Sequence, residues 1–102
     1  MAQKYPLKIT VYRKFDCDEL EDYKGGCHAH EVGQEFIVKK DGRMPEGFCY
    51  WAWHDLWPVM MALRFGGNLT YCREGHRMYS SCTDGLTPVV FKVERIEDEE
   101  DV

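Results

Sequence analysis

The chain has 102 residues, which is enough for one small domain and excludes a two-domain protein. Hydrophobic residues make up 44% and charged residues 30%, as in globular proteins, and no apolar run reaches the roughly 20 residues that a membrane helix needs. Five of the 18 acidic residues form the run 97–101, so the other acidic residues balance the 13 basic ones, and no Lys/Arg stripe indicates nucleic-acid binding. We therefore predict one domain over 1–96, an acidic disordered tail over 97–102, and neither a membrane nor a nucleic-acid partner.

Two β-strands are predicted in the first 40 residues. The segment 7–15 alternates, which puts four apolar side chains on one face: Leu7, Ile9, Val11 and Phe15. The residues 16–30 are rich in Asp, Glu and Gly, which is typical of a loop. The segment 34–40 alternates again and stops at the turn dipeptide Asp41-Gly42, so it is the second strand.

A buried helix is predicted over 48–65, because this segment is apolar on nearly every side of a helical wheel. Pro58 predicts a kink or two short helices that meet there, and Gly66-Gly67 is the expected end. The tryptophans at 51, 53 and 57 are expected in the core, with the wall of a flat-ligand pocket as the alternative. So apolar a helix in so small a chain also predicts a homodimer that buries part of it.

The last part of the sequence predicts a β-hairpin. Its strands are 78–82 and 89–96, and the turn lies around 83–85. Four strands around one buried, Pro-kinked helical segment indicate an α+β fold, with the first and last strands as neighbours. We expect a small antiparallel sheet or an open barrel.

Several common catalytic and binding motifs are missing from the sequence. The run that starts at His30-Glu31 has Gln34 where the zinc motif His-Glu-x-x-His needs histidine. The chain also lacks the glycine-rich nucleotide motifs, Gly-x-Ser-x-Gly and Cys-x-x-Cys. The sequence therefore contains no motif that would indicate a nucleotide-binding, α/β-hydrolase, zinc-ribbon or thioredoxin function.

The five cysteines are the strongest chemical signal in the sequence. Their number is odd and the N-terminus does not read as a signal peptide, so we expect free thiols in the cytoplasm. Cys27, Cys49 and Cys82 lie at predicted junctions between elements, where loops can converge at one end of a sheet. Together with His30 they would supply three sulfur ligands and one nitrogen to zinc or an iron–sulfur centre.

Two other functions stay open from the residues. Cys49 or Cys82 could act as a nucleophilic thiolate in an aromatic pocket, because a helix start beside Cys49 favours the thiolate form. The cysteines could also simply be buried in a structural or interaction module with a protein partner. His54 and Asp55 are chemically capable, but neighbours on a helix point about 100° apart, so they are not predicted to form a catalytic pair, and the catalytic residues of any enzyme function stay unknown.

Three blocks of the sequence resemble a family of bacterial and archaeal proteins of about 90 residues and unknown function. The blocks are Cys27 to Phe36, "PEGFCYWAW" with "ALRFGG", and "CTDGLTPVVFKVERI". The family pairs Cys-Pro-x-Gly-His-x-x-Gly-Asp-x-Phe with Pro-x-Gly-x-Cys and Cys-Pro-Asp-Gly-x-x-Pro-Val-x-Phe. The residues that match are Cys27, His30, Gly33, Phe36, Cys49, Cys82, Asp84, Gly85 and Pro88.

The resemblance implies which cysteines belong to a site and leaves the activity open. It selects Cys27, Cys49 and Cys82 and leaves out Cys17 and Cys72. Where the family has proline after its first and third cysteines, this chain has His28 and Thr83.

Overall fold

The computed structural model describes residues 4–21, 26–67 and 75–97. They form one helix and four strands in this order: β1 (Leu7–Lys14), β2 (Glu35–Val38), α1 (Tyr50–Arg64), β3 (Arg77–Ser81) and β4 (Val89–Arg95). The strands make one antiparallel sheet in the order β2-β1-β4-β3, and α1 packs against it. This confirms the predicted α+β fold, with an open sheet and no closed barrel.

The two central strands carry the core. β1 and β4 pair antiparallel, as predicted for the first and last strands, with Ile9 opposite Val93 and Val11 opposite Phe91. Alternate side chains of both strands are fully buried against the helix, because successive residues of a strand point to opposite faces. The alternation in the sequence therefore predicts the core face of both strands.

The end of β1 departs from the prediction. The register with β4 shifts between Val11 and Arg13, which marks a β-bulge or similar irregularity. An extra residue at this point moves the following side chains to the other face. Phe15 is therefore 39% exposed, and the centre of its ring lies 4.7 Å from the guanidinium carbon of Arg13. The expectation that Phe15 shares the core face is wrong.

Only one face of α1 is buried. Ala52, Leu56, Met60 and Leu63 pack in the core, whereas Trp51 is 64% and Trp57 41% exposed. The expectation that the helix is buried on all sides, with Trp51 and Trp57 in the core, is wrong. The physical reason is that the sheet covers one side of the helix, and no helix or strand of the described residues forms a second layer over the other.

The helix continues through Pro58, so the alternative of two short helices is wrong. Proline cannot donate to the carbonyl of the residue four positions earlier, which is His54. Both residues lie on the exposed side of the helix, where water can hydrogen-bond that carbonyl. A proline on this side therefore costs less than one facing the sheet.

Some predictions fall partly or wholly outside the described residues. Of the predicted acidic tail only Glu97 is described, and Cys72 lies in an undescribed stretch. Within the described ranges, no helix is both long enough and apolar enough to cross a membrane. Burial of the exposed aromatic face of α1 in a homodimer stays a prediction.

Candidate thiol site

Three cysteines line one cavity at the N-terminal end of α1. The cavity has a volume of about 470 Å³, and Trp51 and Leu86 form further parts of its wall. Cys27 comes from the loop between β1 and β2, Cys49 directly precedes α1, and Cys82 directly follows β3. Three distant segments thus each contribute a cysteine to the lining of one cavity, which we call the thiol cavity.

Of the two remaining cysteines, the structure describes only Cys17. Cys17 is buried and does not line the thiol cavity. Cys72 lies outside the described residues. All four described cysteines, including the three of the cavity, are free thiols. The structure therefore groups the same three cysteines that the element junctions and the family resemblance select.

His30 lies behind the cavity and not in its lining. Its side chain is 1% exposed and packs against the rings of Phe36, Phe48 and Phe91, with centroids 5.1–5.7 Å apart. Its Nε2 accepts a hydrogen bond from the backbone N–H of Cys49 at 3.1 Å. His30 therefore ties the segment that carries Cys27 to the residue that opens the helix.

The second ring nitrogen of His30 also has a partner. Nδ1 lies 3.2 Å from Oε1 of Gln34, and the same oxygen accepts the backbone N–H of Glu31. Since Oε1 can only accept, Nδ1 carries the proton and Nε2 is free to accept from Cys49. Burial lowers the pKa of His30 below its ordinary value of 6.5, and the charge of Lys14 adds to this, against the hydrogen bond with Gln34. The ring is therefore neutral near pH 7.

These bonds bear on the predicted set of four ligands. With both nitrogens engaged, His30 holds the backbone of Cys49 and offers no free lone pair to the cavity. In the ranges that the structure describes, no three Cys, His, Asp or Glu side chains are gathered to hold a metal ion. Coordination by Cys27, His30, Cys49 and Cys82 stays a prediction.

A second set of bonds ties the segment of Cys82 to the helix. Asp55 on α1 accepts the backbone N–H of Thr83 at 2.7 Å and its hydroxyl at 3.0 Å. The indole N–H of Trp51 donates to the same hydroxyl oxygen at 2.7 Å. Sequence reasoning missed the roles of Asp55 and Thr83, because no local pattern signals a contact between residues 28 positions apart.

Asp84 shapes the loop between β3 and β4. Its Oδ1 accepts the backbone N–H groups of Leu86 and Thr87, and its Oδ2 accepts the hydroxyl of Thr87. These hydrogen bonds lower the pKa of Asp84. The one from the backbone N–H of Thr87 contributes most, followed by the one from the backbone N–H of Leu86 and the one from the hydroxyl of Thr87. Both carboxylate oxygens are thus engaged in an Asx-type turn that holds the cavity wall.

Two of the three cavity sulfurs accept backbone hydrogen bonds. The N–H of Ala29 points to Sγ of Cys27 and the N–H of Val89 to Sγ of Cys82, both at 3.4 Å. Hydrogen bonds to sulfur are among the features that tune protein metal–thiolate centres. The arrangement suits thiolate chemistry, either toward a soft metal ion or toward a small molecule.

His54 does not extend the site into a catalytic pair. Its side chain is exposed, and its Nδ1 lies 3.8 Å from Oδ1 of Asp55, beyond hydrogen-bond distance. The other carboxylate oxygen of Asp55 already serves Thr83. This separation agrees with the divergent directions expected for neighbours on a helix.

No family model matches the chain. No curated protein and no solved structure is similar enough to it to count as a match. The resemblance to the family with the Cys-Pro-x-Gly-His block therefore stays a prediction. The side chains of the thiol cavity are therefore the basis for a functional proposal.

Proposed function

We propose that the protein binds a thiophilic transition metal, as zinc or an iron–sulfur centre, through the thiolates of Cys27, Cys49 and Cys82. The observation that carries the proposal is the convergence of these three free thiols from three separate segments on one cavity. Thiolate is the ligand that such metals prefer in proteins. Chance burial of cysteines does not require that they share a cavity.

The surroundings of the thiols support the same function. Metal ligands are commonly oriented by a second layer of hydrogen bonds, and loss of such partners typically weakens metal binding. Here His30 fixes the backbone of Cys49, and the bonds from α1 to Thr83 fix the neighbour of Cys82. Two sulfurs also accept backbone N–H groups. In this proposal His30 is a positioning residue and the three thiols are the ligands.

Binding requires the thiols to close on the metal. The described side chains contain no preassembled group of three ligands, so the three sulfurs have to turn toward a common point. Loop segments held by side-chain bonds at their bases allow such a local change without disturbing the sheet. Free thiols and a metal of this kind also fit the predicted cytoplasmic location, which is part of the proposal.

Metal binding can be tested by titrating the reduced protein, purified without oxygen, with Co²⁺ as a spectroscopic substitute for zinc. We expect about one equivalent to bind, with a sulfur-to-cobalt charge-transfer absorption and release of protons from the thiols. Single Ser substitutions at Cys27, Cys49 and Cys82 should each weaken binding strongly. Cys17→Ser is the matched control, because this buried thiol lies outside the cavity, and it should bind as the wild type does.

Two results would contradict the proposal. The first is uptake of less than about a tenth of an equivalent of Co²⁺ and of iron by the reduced wild type. The second is an equal loss of binding in Cys17→Ser and in the three cavity variants. Absorption of the protein as purified distinguishes zinc, which is colourless, from an iron–sulfur centre.

A thiol-dependent small-molecule site is the second candidate function. The observation that favours it is that the thiols line a cavity with an exposed indole, where a small molecule could lie against them. Alkylation of the folded, metal-free protein separates the two functions. Rapid modification of Cys49 or Cys82 alone supports a poised nucleophile, and equal slow reaction of all three cavity thiols supports the ligand set.

A further inference from the structure

We infer that an exposed groove beside the thiol cavity binds a small organic cation whose nitrogen carries methyl groups. The groove has a volume of about 360 Å³ and lies between the N-terminal part of α1 and the segment after β3. Its described lining combines three aromatic rings with two polar side chains: Tyr50, Trp51, His54, Asp55 and Thr83. We call it the aromatic groove. No cysteine belongs to this lining, so the inference is independent of metal binding.

The aromatic rings give the groove a surface that attracts cations. Tyr50 is 77% and Trp51 64% exposed, so the described protein leaves both rings open to a ligand. The faces of such rings carry partial negative charge, and a cation that lies against them is attracted. The indole N–H of Trp51 donates to Thr83, which holds this ring in place before a ligand arrives.

Asp55 adds a carboxylate to the lining. Its Oδ2 accepts the backbone N–H and the hydroxyl of Thr83. Its Oδ1 is bonded to neither Thr83 nor His54, whose Nδ1 lies 3.8 Å away, beyond hydrogen-bond distance. The side chain of Asp55 is only 10% exposed, so water and salt screen its charge less than they would on an open surface. A cation in the groove would therefore gain from this charge.

The charges of the groove favour a cation over an anion. None of the described lining residues is Lys or Arg, and the whole chain carries a net charge of -5. Electrostatic complementarity of this kind sets which ligands a site accepts.

The hydrogen bonds of the groove favour a methylated nitrogen over a primary ammonium. A primary ammonium has three N–H donors that need acceptors once water is displaced. The hydroxyl of Thr83 is already engaged, because it donates to Asp55 and accepts from Trp51. A trimethylammonium group has no N–H to satisfy, and its methyl groups can pack against the rings.

The test titrates the reduced, metal-free protein with two molecules of the same shape: choline and its uncharged analogue 3,3-dimethylbutan-1-ol. The readout is the NMR signal of the Trp51 indole N–H, with NaCl keeping the ionic strength constant. Choline should give a saturable shift and bind at least about fivefold more tightly than the analogue, because only the charged probe is attracted by the rings and the carboxylate. Ethanolamine, which has a primary ammonium, should bind more weakly than choline.

Two substitutions test whether the aromatic groove is the binding place. Asp55→Asn keeps an oxygen that can accept from Thr83 and removes the charge, so it should reduce the preference for choline over the uncharged analogue. Tyr50→Leu removes an exposed ring and should weaken choline binding at least about threefold. Trp57→Leu is the matched control, because Trp57 is an exposed ring on the same helix outside the described lining, and it should bind choline as the wild type does.

Several outcomes would overturn the inference. They are the absence of a saturable response to choline in the wild type, equal affinity for choline and the analogue, and an equal loss of binding in Tyr50→Leu and Trp57→Leu. Binding to phosphatidylcholine vesicles without a response to free choline would overturn the small-molecule class. Metal binding is tested separately by the cobalt titration, so failure of either proposal leaves the other standing.

Discussion

The two ends of helix α1 are built differently. At the C-terminal end Gly66 has a φ of +82°, and the N–H groups of Gly66 and Gly67 bond back to the carbonyls of Leu63 and Ala62. Arg95 reaches across from β4 and donates to the carbonyls of Leu63 and Gly67. This is a Schellman-type end with a cation added, so the free carbonyls and the negative end of the helix dipole are both satisfied.

The N-terminal end has none of these stabilising features. Cys49 occupies the capping position without a side-chain hydrogen bond to the helix, and the first turn carries no acidic residue. Ser, Thr, Asp or Asn at this position typically stabilises a helix by about 1 kcal/mol. The hydrogen bonds made here, by His30 and Asp55, instead hold the segments next to Cys27 and Cys82. The C-terminal end of α1 therefore stabilises the fold, whereas the N-terminal end arranges the thiols.

The largest expected effect on stability comes from the C-terminal half of the helix. Leu63 is fully buried, so Leu63→Ala should lower the free energy of unfolding by about 2–5 kcal/mol, through lost burial and the cavity left behind. Urea denaturation measures this loss. Leu86→Ala, in the wall of the thiol cavity, should change stability by less than about 1 kcal/mol. A larger loss of stability in Leu86→Ala than in Leu63→Ala would contradict the inference that the C-terminal end of the helix stabilises the fold more than the N-terminal end does.

A smaller effect is expected from the glycine that ends the helix. A Cβ on Gly67 would lie 2.7 Å from the carbonyl oxygen of Ala62, so Gly67→Ala should cost about 1–3 kcal/mol. Gly85→Ala is the matched substitution at the thiol cavity, where the added methyl group meets nothing, and it should be close to neutral. Thermal unfolding measures both effects, and Gly67→Ala should have the lower melting temperature. Similar melting temperatures for the two variants would contradict this prediction.

The third prediction concerns pH. The pKa of His30 is lowered in the folded protein, so below about pH 6.5 the unfolded chain binds a proton that the folded protein does not. Stability should therefore be fully present above pH 6.5 and fall as the pH drops toward the folded pKa, by at most about 1.4 kcal/mol per pH unit for one proton. The pKa of Asp84 is also lowered in the folded protein, but the resulting loss of stability begins only below the ordinary pKa of this group, 3.8.

Denaturation in urea between pH 7.5 and 5 checks this slope. His28→Gln is the control, because His28 is exposed and its loss should leave the slope unchanged. A wild-type stability that stays constant over this range would contradict a buried, neutral His30. This measurement needs no metal, so it tests the arrangement behind Cys49 independently of the function.

The main features of the fold follow from local patterns in the sequence. Alternation predicts the core faces of β1 and β4, and Gly66-Gly67 predicts the end of the helix. The exposure of Trp51 and Trp57 could not be predicted this way. Apolar residues give the same helical pattern whether their side of the helix is buried or exposed. Only the packing of the helix on the sheet decides which side is buried.

The sequence predicts which cysteines lie at the candidate site, but it does not predict the hydrogen bonds around them. Cys27, Cys49 and Cys82 stand at element junctions, which local signals locate well enough. His30 looks like a ligand in sequence because it lies three positions after Cys27. In the structure its Nε2 accepts a hydrogen bond from the N–H of Cys49, which is 19 residues away along the chain. Contacts of this kind depend on tertiary packing, which the local pattern does not contain.

Thiolate ligation by the cavity cysteines can be measured directly by X-ray absorption at the zinc edge, on the reduced protein loaded with one equivalent of Zn²⁺. We expect three sulfur neighbours at about 2.3 Å and one lighter atom at about 2.0–2.1 Å. Each of the three cavity Cys→Ser variants should lose one sulfur or lose the zinc, while Cys17→Ser keeps all three. A zinc ion with one sulfur neighbour or none in the wild type would contradict a thiolate site at this end of the helix.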